Sequence, residues 1–291
     1  MNPRDVIDIV GLSGYTLSDS YTTLTPPYPH YLFNQVASYV IGGVFILLLL
    51  WLIITSYRAR STSFLMGMLA ASSLSASFFI RGTYGYGGNT DYKLYMALNI
   101  LYTGGANLLA STALYMAGNW VHVADNGVRR AAFVPWFLCL VCFFAANALE
   151  VVGWVDLFSS DGNDTRYKGL VLHIAAVSTT LGMCLIGFFL VFVKMCITAR
   201  LRIKADVFIL LASLVLVAVW AGFSIAQLRL PVDSSANTSQ TLWGLFSTLP
   251  LALVIIVWAA LNAPRRFRFD DFFGDRKPEW SRPIVFVVNP A

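Results

Sequence analysis

Six strongly polar side chains lie inside or at the ends of long apolar runs in this sequence: Arg81, Asn99, Asn147, Glu150, His173 and Gln227. Such groups are costly within an apolar segment unless they meet a partner or a water-filled cavity. The spacing of Asn147, Glu150 and Trp154 places all three on one helix face. We expect Arg81 and Glu150 to pair between two helices and to border a pocket that binds a small molecule. A polar clamp between helices, without any ligand, explains the same residues.

Residue patterns typical of catalysis or metal binding are absent from the sequence. It has no His-Glu-x-x-His motif, nucleophile elbow or phosphate loop, and its three histidines (His30, His122 and His173) are too scattered for a zinc or haem site. We therefore expect no enzyme activity, no metal and no cofactor. The four cysteines lie in or beside apolar runs, and we expect all of them to be buried.

The composition is that of a membrane protein. Hydrophobic residues make up 57% of the 291 residues and charged residues 12%, whereas a soluble domain carries about 25% charged residues. The net charge of +5 does not indicate a nucleic-acid partner, because the basic residues lie beside the ends of apolar runs. Residues 1–33 are polar and resemble no cleaved signal peptide, so the first apolar run is expected to insert as a span.

We predict an all-α bundle of seven transmembrane helices, since each apolar run has about 20 residues or more, enough to cross a hydrocarbon core of ~30 Å. The predicted spans are residues 36–56, 63–82, 94–117, 131–155, 170–193, 207–228 and 242–261. Three parts follow from these spans: an extracellular segment at 1–35, the bundle at 36–261, and a cytosolic tail with basic and aromatic residues at 262–291.

Charge sets the predicted orientation. With the N-terminus outside and the C-terminus in the cytosol, 14 of the 20 Lys and Arg residues fall on the inner side, as the positive-inside rule requires. Both Asn-x-Ser/Thr sequons, at Asn163 and Asn237, then lie in outer loops, which makes glycosylation a hypothesis for each. The six polar side chains share the outer third of the bundle.

Two spans have features that bear on packing. Small residues in the third span, among them Gly104, Gly105 and Ala110, predict the packed central helix. Asn107 in that helix is expected to form an interhelical hydrogen bond or to line the pocket. Pro250 predicts a kink in the seventh span. That span has no Lys for retinal, and the motifs of rhodopsin-type receptors are absent.

Three segments carry a resemblance to the fungal lipid-translocating exporter family, the RTA-like (resistance to aminocholesterol) seven-span proteins. They are the run 110–116 (Ala-Ser-Thr-Ala-Leu-Tyr-Met), the run 79–82 (Phe-Ile-Arg-Gly), and the last span from Leu249-Pro250 to Asn262-Ala263-Pro264. The sequence departs from the family in two places. The acidic residue of the second span is missing, and Ala221 to Gln227 replaces an Arg-x-x-Glu pair in the sixth. The resemblance implies a plasma-membrane protein linked to lipid movement or stress resistance.

Three functions remain open on the sequence alone. The first is a lipid-translocating exporter-like protein, and the second is a seven-span receptor that senses a small molecule from outside. The third is a non-catalytic membrane organiser or accessory subunit. Membrane lipids are expected partners of all three. The basic segment Lys194 to Asp206 and the basic tail suit either a cytosolic partner or anionic lipid.

Overall fold

The computed structural model describes residues 34–59, 64–84, 92–124, 133–157, 163–197, 205–229 and 239–267. The described residues are almost entirely helical and contain no strand. Seven long helices follow in chain order: α1 (Gln35–Ala59), α2 (Leu65–Tyr84), α3 (Tyr92–Ala124), α4 (Phe133–Leu157), α5 (Asn163–Ile197), α6 (Ala205–Arg229) and α7 (Gln240–Ala260). A short helix, α8 (Ala263–Arg266), follows them. Residues 1–33 of the predicted N-terminal segment and most of the predicted tail lie outside the described residues.

Six of these helices, all but α3, contain stretches long and apolar enough to cross a membrane. Large apolar side chains also point outward along them: Leu47 on α1 is 66% exposed, Phe144 on α4 61% and Phe189 on α5 64%. Soluble monomers rarely expose contiguous apolar patches of this kind. The chain is therefore a multi-pass integral membrane protein.

The helices run alternately up and down, so that one end of the bundle holds the starts of α1, α3, α5 and α7. We call this the Glu150 end, and the opposite end the Asp206 end. At the Glu150 end the start of α1 meets the end of α2, where the Tyr39 and Thr83 hydroxyls lie 3.3 Å apart. At the Asp206 end Phe64, just before α2, packs edge-on against Trp258 of α7 at 5.5 Å between ring centroids.

Helix α3 lies at the centre of the bundle, which confirms the sequence prediction. It contacts α2, α4, α5, α6 and α7, and Ala106, Leu109, Ala110, Ala113 and Ala117 are fully buried. This position explains why α3, unlike the other six long helices, contains no stretch apolar enough to be a candidate membrane span. A helix shielded by its neighbours needs small side chains for close approach rather than large ones for contact with lipid.

Helix α7 contains an irregular segment. Residues Gly244–Thr248 are π-helical, and the N–H of Leu249 bonds to the carbonyl of Gly244, five residues back. Pro250 follows directly and has no N–H with which to continue an α-helical ladder. The sequence predicts a kink at Pro250, and what the structure shows here is a wider helical turn just before the proline.

The chain turns sharply between α7 and α8. Asn262 has a φ of 52°, the left-handed region, which Asn tolerates better than most residues. Pro264 lies in the first turn of α8, where a missing N–H costs nothing. The Arg266 guanidinium then reaches Asp206 at the start of α6, with 3.0 Å between Nη1 and Oδ1.

Two sequence predictions need correction. Cys196 is exposed at the end of α5, whereas Cys139 and Cys184 are buried as expected and Cys142 is partly buried. Helix α5 also begins at Asn163, seven residues before the predicted span. The first sequon therefore opens a helix rather than lying in a loop, and Asn237 of the second lies outside the described residues.

Candidate functional site

Arg81, near the end of α2, lies over an indole ring of α7. Its Cζ is 3.7 Å from the centroid of the Trp243 ring, and the residue is only 4% exposed. A guanidinium at this distance over Trp is attracted by the negative face of the ring, and the attraction strengthens when the pair is shielded from water. Arg81 thus connects α2 to the residue that immediately precedes the π-helical segment.

An aromatic cluster surrounds this contact, and we define it as Phe78, Tyr102, Trp220 and Trp243. The Trp243 ring lies 5.3 Å from Tyr102 and 5.8 Å from Phe78, centroid to centroid. Tyr102 also lies 6.5 Å from Trp220. The four rings come from α2, α3, α6 and α7, so the aromatic cluster joins four helices at one level.

The π-helical segment takes part in this cluster through a hydroxyl pair. The Tyr102 and Ser247 hydroxyls lie 2.8 Å apart and both residues are buried. Two further polar atoms of this region, Trp220 Nε1 and Thr248 Oγ1, are buried with no hydrogen-bond partner in the described structure. A buried polar atom without a partner is costly, so a further hydrogen-bond partner would stabilise this region of the bundle.

Glu150 of α4 forms a second group, together with Trp154 and with His173 of α5. Its Oε1 accepts a hydrogen bond from Trp154 Nε1 at 2.7 Å. Its Oε2 lies 2.6 Å from His173 Nδ1. Glu150 is 1% exposed and His173 8%. A buried carboxylate in an apolar bundle requires partners of this kind.

Two glycines bring α4 and α5 close enough for this pairing. A Cβ built on Gly169 would lie 2.6 Å from the Gly153 carbonyl oxygen, and a Cβ on Gly153 would lie 2.9 Å from the Gly169 carbonyl oxygen. No real Cβ atom fits at such a distance, so the two backbones touch directly. The contact lies one turn from both Glu150 and His173.

The predicted pairing of Arg81 with Glu150 is wrong. Glu150 uses its two oxygens on Trp154 and His173, and Arg81 lies on Trp243. Glu150 pairs with His173 because two glycines bring α4 and α5 close together. The spacing of residues along α4 alone does not reveal this contact. Sequence reasoning placed both charges at one level but could not choose between partners.

Two of the remaining predicted site residues, Asn99 and Asn147, bond to carbonyls of their own helices. Asn99 Nδ2 donates to the Tyr95 carbonyl at 2.8 Å and Asn147 Nδ2 to the Phe143 carbonyl at 2.7 Å, each four residues back on its own helix. Gln227 lies partly buried in the last turns of α6. Of the six predicted residues, Glu150 and His173 contact each other.

Asn107 of α3 forms the interhelical hydrogen bond that the sequence suggested. Its Oδ1 accepts from the Thr180 hydroxyl of α5 at 2.5 Å. The Nδ2 of the same amide is buried and has no partner in the described structure. Asn107 is therefore fixed at one atom and unmatched at the other.

Sequence reasoning missed Tyr102, Trp220 and Trp243. A Trp at the start of a span is typical of a membrane-interface anchor, so nothing in the sequence indicated that Trp243 belongs to a functional site. The one available signal was Tyr102, which lies seven residues after Tyr95 and so on the same face of a helix predicted to be central.

Comparisons with known proteins supply no relative. The chain matches no protein-family model, no curated protein and no solved structure.

Proposed function

We propose that the chain is a seven-span plasma-membrane receptor that recognises a small molecule near the Glu150 end and transmits the event through α7. In this proposal the N-terminus and the Glu150 end face outside, and the Asp206 end faces the cytosol. The basic residues near the Asp206 end, including Arg265 and Arg266 in α8, support that orientation. Helix α3 also crosses the membrane in this proposal and brings the number of spans to seven, since its 33 residues extend for about 50 Å.

The π-helical segment carries this proposal. It follows Trp243, on which Arg81 lies, and it contains Ser247, which pairs with Tyr102. A π-helical turn holds one residue more than an α-helical turn and is often found at functional sites. A ligand that competes for Trp243 or Ser247 can therefore change the register of α7 at this point.

The C-terminal part of α7 is held by contacts at the Asp206 end of the bundle. Trp258 Nε1 donates to the Ser213 hydroxyl of α6 at 2.8 Å, and α8 is attached to α6 by the Arg266–Asp206 ion pair. A shift or rotation of α7 therefore moves groups at both ends. A bundle with two discrete packings of one helix is the element that a receptor needs.

Lipid export is a second candidate, favoured by one observation. Arg81 belongs to the Phe-Ile-Arg-Gly run that carries the resemblance to the exporter family, and it lies at the contact between α2 and α7. An arginine beside an aromatic ring suits a phosphate head group. Against an open lipid path, the arginine is almost fully buried and the surfaces described on α1, α4 and α5 are apolar.

Lipid movement separates the two candidates. The purified chain is reconstituted into vesicles that contain phospholipids with a fluorescent head group, and a membrane-impermeant reductant quenches the outer leaflet. A receptor leaves about half of the signal protected, as in protein-free vesicles. Progressive loss of the protected half, abolished by Arg81→Ala, would replace the receptor proposal with the exporter.

A label on Cys196 tests the receptor directly. Cys196 is the one exposed cysteine among the four, so an environment-sensitive fluorophore can be attached at the Asp206 end. Compounds that raise the thermal stability of the chain are then added from the Glu150 end. We expect such a compound to change the emission in the wild type and not in Trp243→Leu. The matched control is Trp51→Leu, because Trp51 is exposed on α1 and lies outside both the aromatic cluster and the π-helical segment. An unchanged emission with every stabilising compound contradicts the proposal.

A further inference from the structure

The lipid-facing side of α1 ends in an arginine. Leu47, Leu50 and Ile54 are exposed, and their spacing of three and four residues places them on one face of the helix. Arg58 lies four residues after Ile54 on the same face and is also exposed. At 1.5 Å per residue, its Cα lies about 6 Å farther along the helix axis than that of Ile54. Arg58 therefore continues the lipid-facing side of α1 in the last turn of that helix.

The position of Arg58 is typical of the region where acyl chains give way to head groups. Tyr57 beside it is 83% exposed, and Tyr is enriched at this level of a membrane. A long Arg side chain placed here directs its guanidinium away from the acyl chains and toward the head groups. No hydrogen bond or ion pair joins Arg58 to another described residue. Its guanidinium is thus available to a group from outside the chain.

Helix α8 holds two further arginines at the same end of the bundle. It contacts α1 as well as α6 and α7, and its apolar residues Ala263 and Pro264 are buried together with Phe267. Arg265 and Arg266, which lie between them in the sequence, are exposed. Helix α8 therefore packs on the bundle through its apolar residues, and both arginines are left on its outer side.

The described charges at the Asp206 end are mostly positive. They belong to Arg58, Lys194, Asp206, Arg265 and Arg266. The one carboxylate among them, that of Asp206, accepts a hydrogen bond from Arg266 Nη1 at 3.0 Å. An anion at this end of the described bundle therefore meets an excess of cations and a carboxylate whose charge is already balanced.

We propose that Arg58 and Arg265 bind the head groups of anionic phospholipids in the leaflet at the Asp206 end. We define these two residues as the basic rim. Each guanidinium binds the phosphate of its own lipid, since Arg matches the geometry of phosphate oxygens. The ligand is a lipid because Arg58 lies on the face of α1 that Leu50 and Ile54 turn toward acyl chains. This inference does not depend on the proposed receptor function or on which side of the membrane the Asp206 end faces.

A fluorophore next to Arg58 tests the proposal. Cys196→Ser removes the exposed cysteine, and Tyr57→Cys provides a new exposed position for the label. The full chain is reconstituted into phosphatidylcholine vesicles that contain a small share of phospholipid with a spin label on its acyl chain, which quenches the fluorophore on contact. We expect spin-labelled phosphatidylserine to quench more strongly than spin-labelled phosphatidylcholine, and the ratio measures local enrichment. Equal quenching by the two lipids contradicts the proposal.

The two arginines are then replaced one at a time. We expect Arg58→Gln and Arg265→Gln each to lower the enrichment by roughly two- to fivefold, because one Lys or Arg near an anionic surface contributes about fivefold in association. The matched control combines Lys93→Gln and Arg229→Gln, which removes two exposed cations at the Glu150 end. An equal decrease in this control shows that net charge alone attracts the lipid and refutes the basic rim.

Conservative variants distinguish lost binding from lost structure. Arg58→Lys and Arg265→Lys keep both positive charges, so we expect most of the enrichment to remain. A loss as large as in the Gln variants assigns the arginines a structural role and contradicts the proposal.

A soluble anion is tested in the same vesicles. We expect inorganic phosphate, added at matched ionic strength, to leave the quenching ratio unchanged, because it has no acyl chains to place it beside α1. Competition by inorganic phosphate would assign the arginines to a soluble ligand and refute the lipid.

Discussion

At the scale of single residues, the most consequential contact is the one between Glu150 and its two partners. Its carboxylate is 1% exposed and depends on Trp154 and His173 for all of its hydrogen bonds with described residues. In a bilayer no water replaces a lost partner. The stability of the α4–α5 pair is thus sensitive to either partner.

Replacement of His173 should therefore destabilise the chain strongly. We expect His173→Leu to cost about 3 kcal/mol or more, the usual penalty for leaving one member of a buried ion pair without its partner. Thermal unfolding in detergent, followed by light scattering, measures it. Asn147→Leu is the control, because its Nδ2 bonds only within its own helix. Equal losses in the two variants would mean that the pair contributes no special stability.

The glycine contact gives a second residue-scale prediction. Gly169→Ala places a Cβ 2.6 Å from the Gly153 carbonyl oxygen, so the helices must separate, at a cost of about 1–3 kcal/mol. Gly182→Ala on the same helix meets nothing within 4 Å and should be neutral or stabilising. The melting temperatures of the two variants are compared. A Gly169→Ala variant as stable as Gly182→Ala refutes the direct backbone contact.

At the scale of elements, α7 differs from the other long helices in its hydrogen-bond register. The wide turn at Gly244–Thr248 stands where Pro250 prevents an ordinary bond. The sequence predicted a kink here from proline alone. It could not predict a π-helical form, since the contacts of this turn with other helices, such as the hydroxyl pair of Tyr102 and Ser247, are not visible in the sequence.

Removal of the proline should tighten this turn. Pro250→Ala restores an N–H that can bond to the carbonyl of Phe246, so we expect slower hydrogen–deuterium exchange in peptides that cover residues 244–250. Pro135→Ala is the control, because Pro135 is the third residue of α4, where a missing N–H breaks no bond within the helix. Unchanged exchange in α7 would show that the π-helical turn is independent of Pro250.

Helix α3 shows how much of the fold the sequence contains. Its small residues correctly predicted a central position, since they favour close packing whatever the partners. The choice of partners was not predictable in the same way. Arg81 and His173 lie at the same depth as Glu150 in the predicted bundle, so depth alone does not decide which of them pairs with it. The Gly153–Gly169 contact between α4 and α5 brings Glu150 to His173.

At the scale of the whole molecule, the number of spans fixes the sides on which the termini lie. With seven spans the termini are on opposite sides, whereas with six, α3 not crossing, they share a side. Epitope tags at both ends of the chain distinguish these cases in intact cells. We expect antibody to reach the N-terminal tag directly and the C-terminal tag only after permeabilisation. Equal access to both tags in intact cells contradicts the seven-span topology.

The central position of α3 has a consequence for how the protein is made. A ribosome delivers the helices one at a time to the translocon, which passes a segment into lipid according to its own hydrophobicity. Helix α3 is the segment least suited to that test, because its small and polar side chains are matched to neighbours rather than to acyl chains. Its insertion should therefore wait for α4, and a nascent chain that stops shortly after residue 124 should leave α3 outside the bilayer, exposed to quality-control proteases.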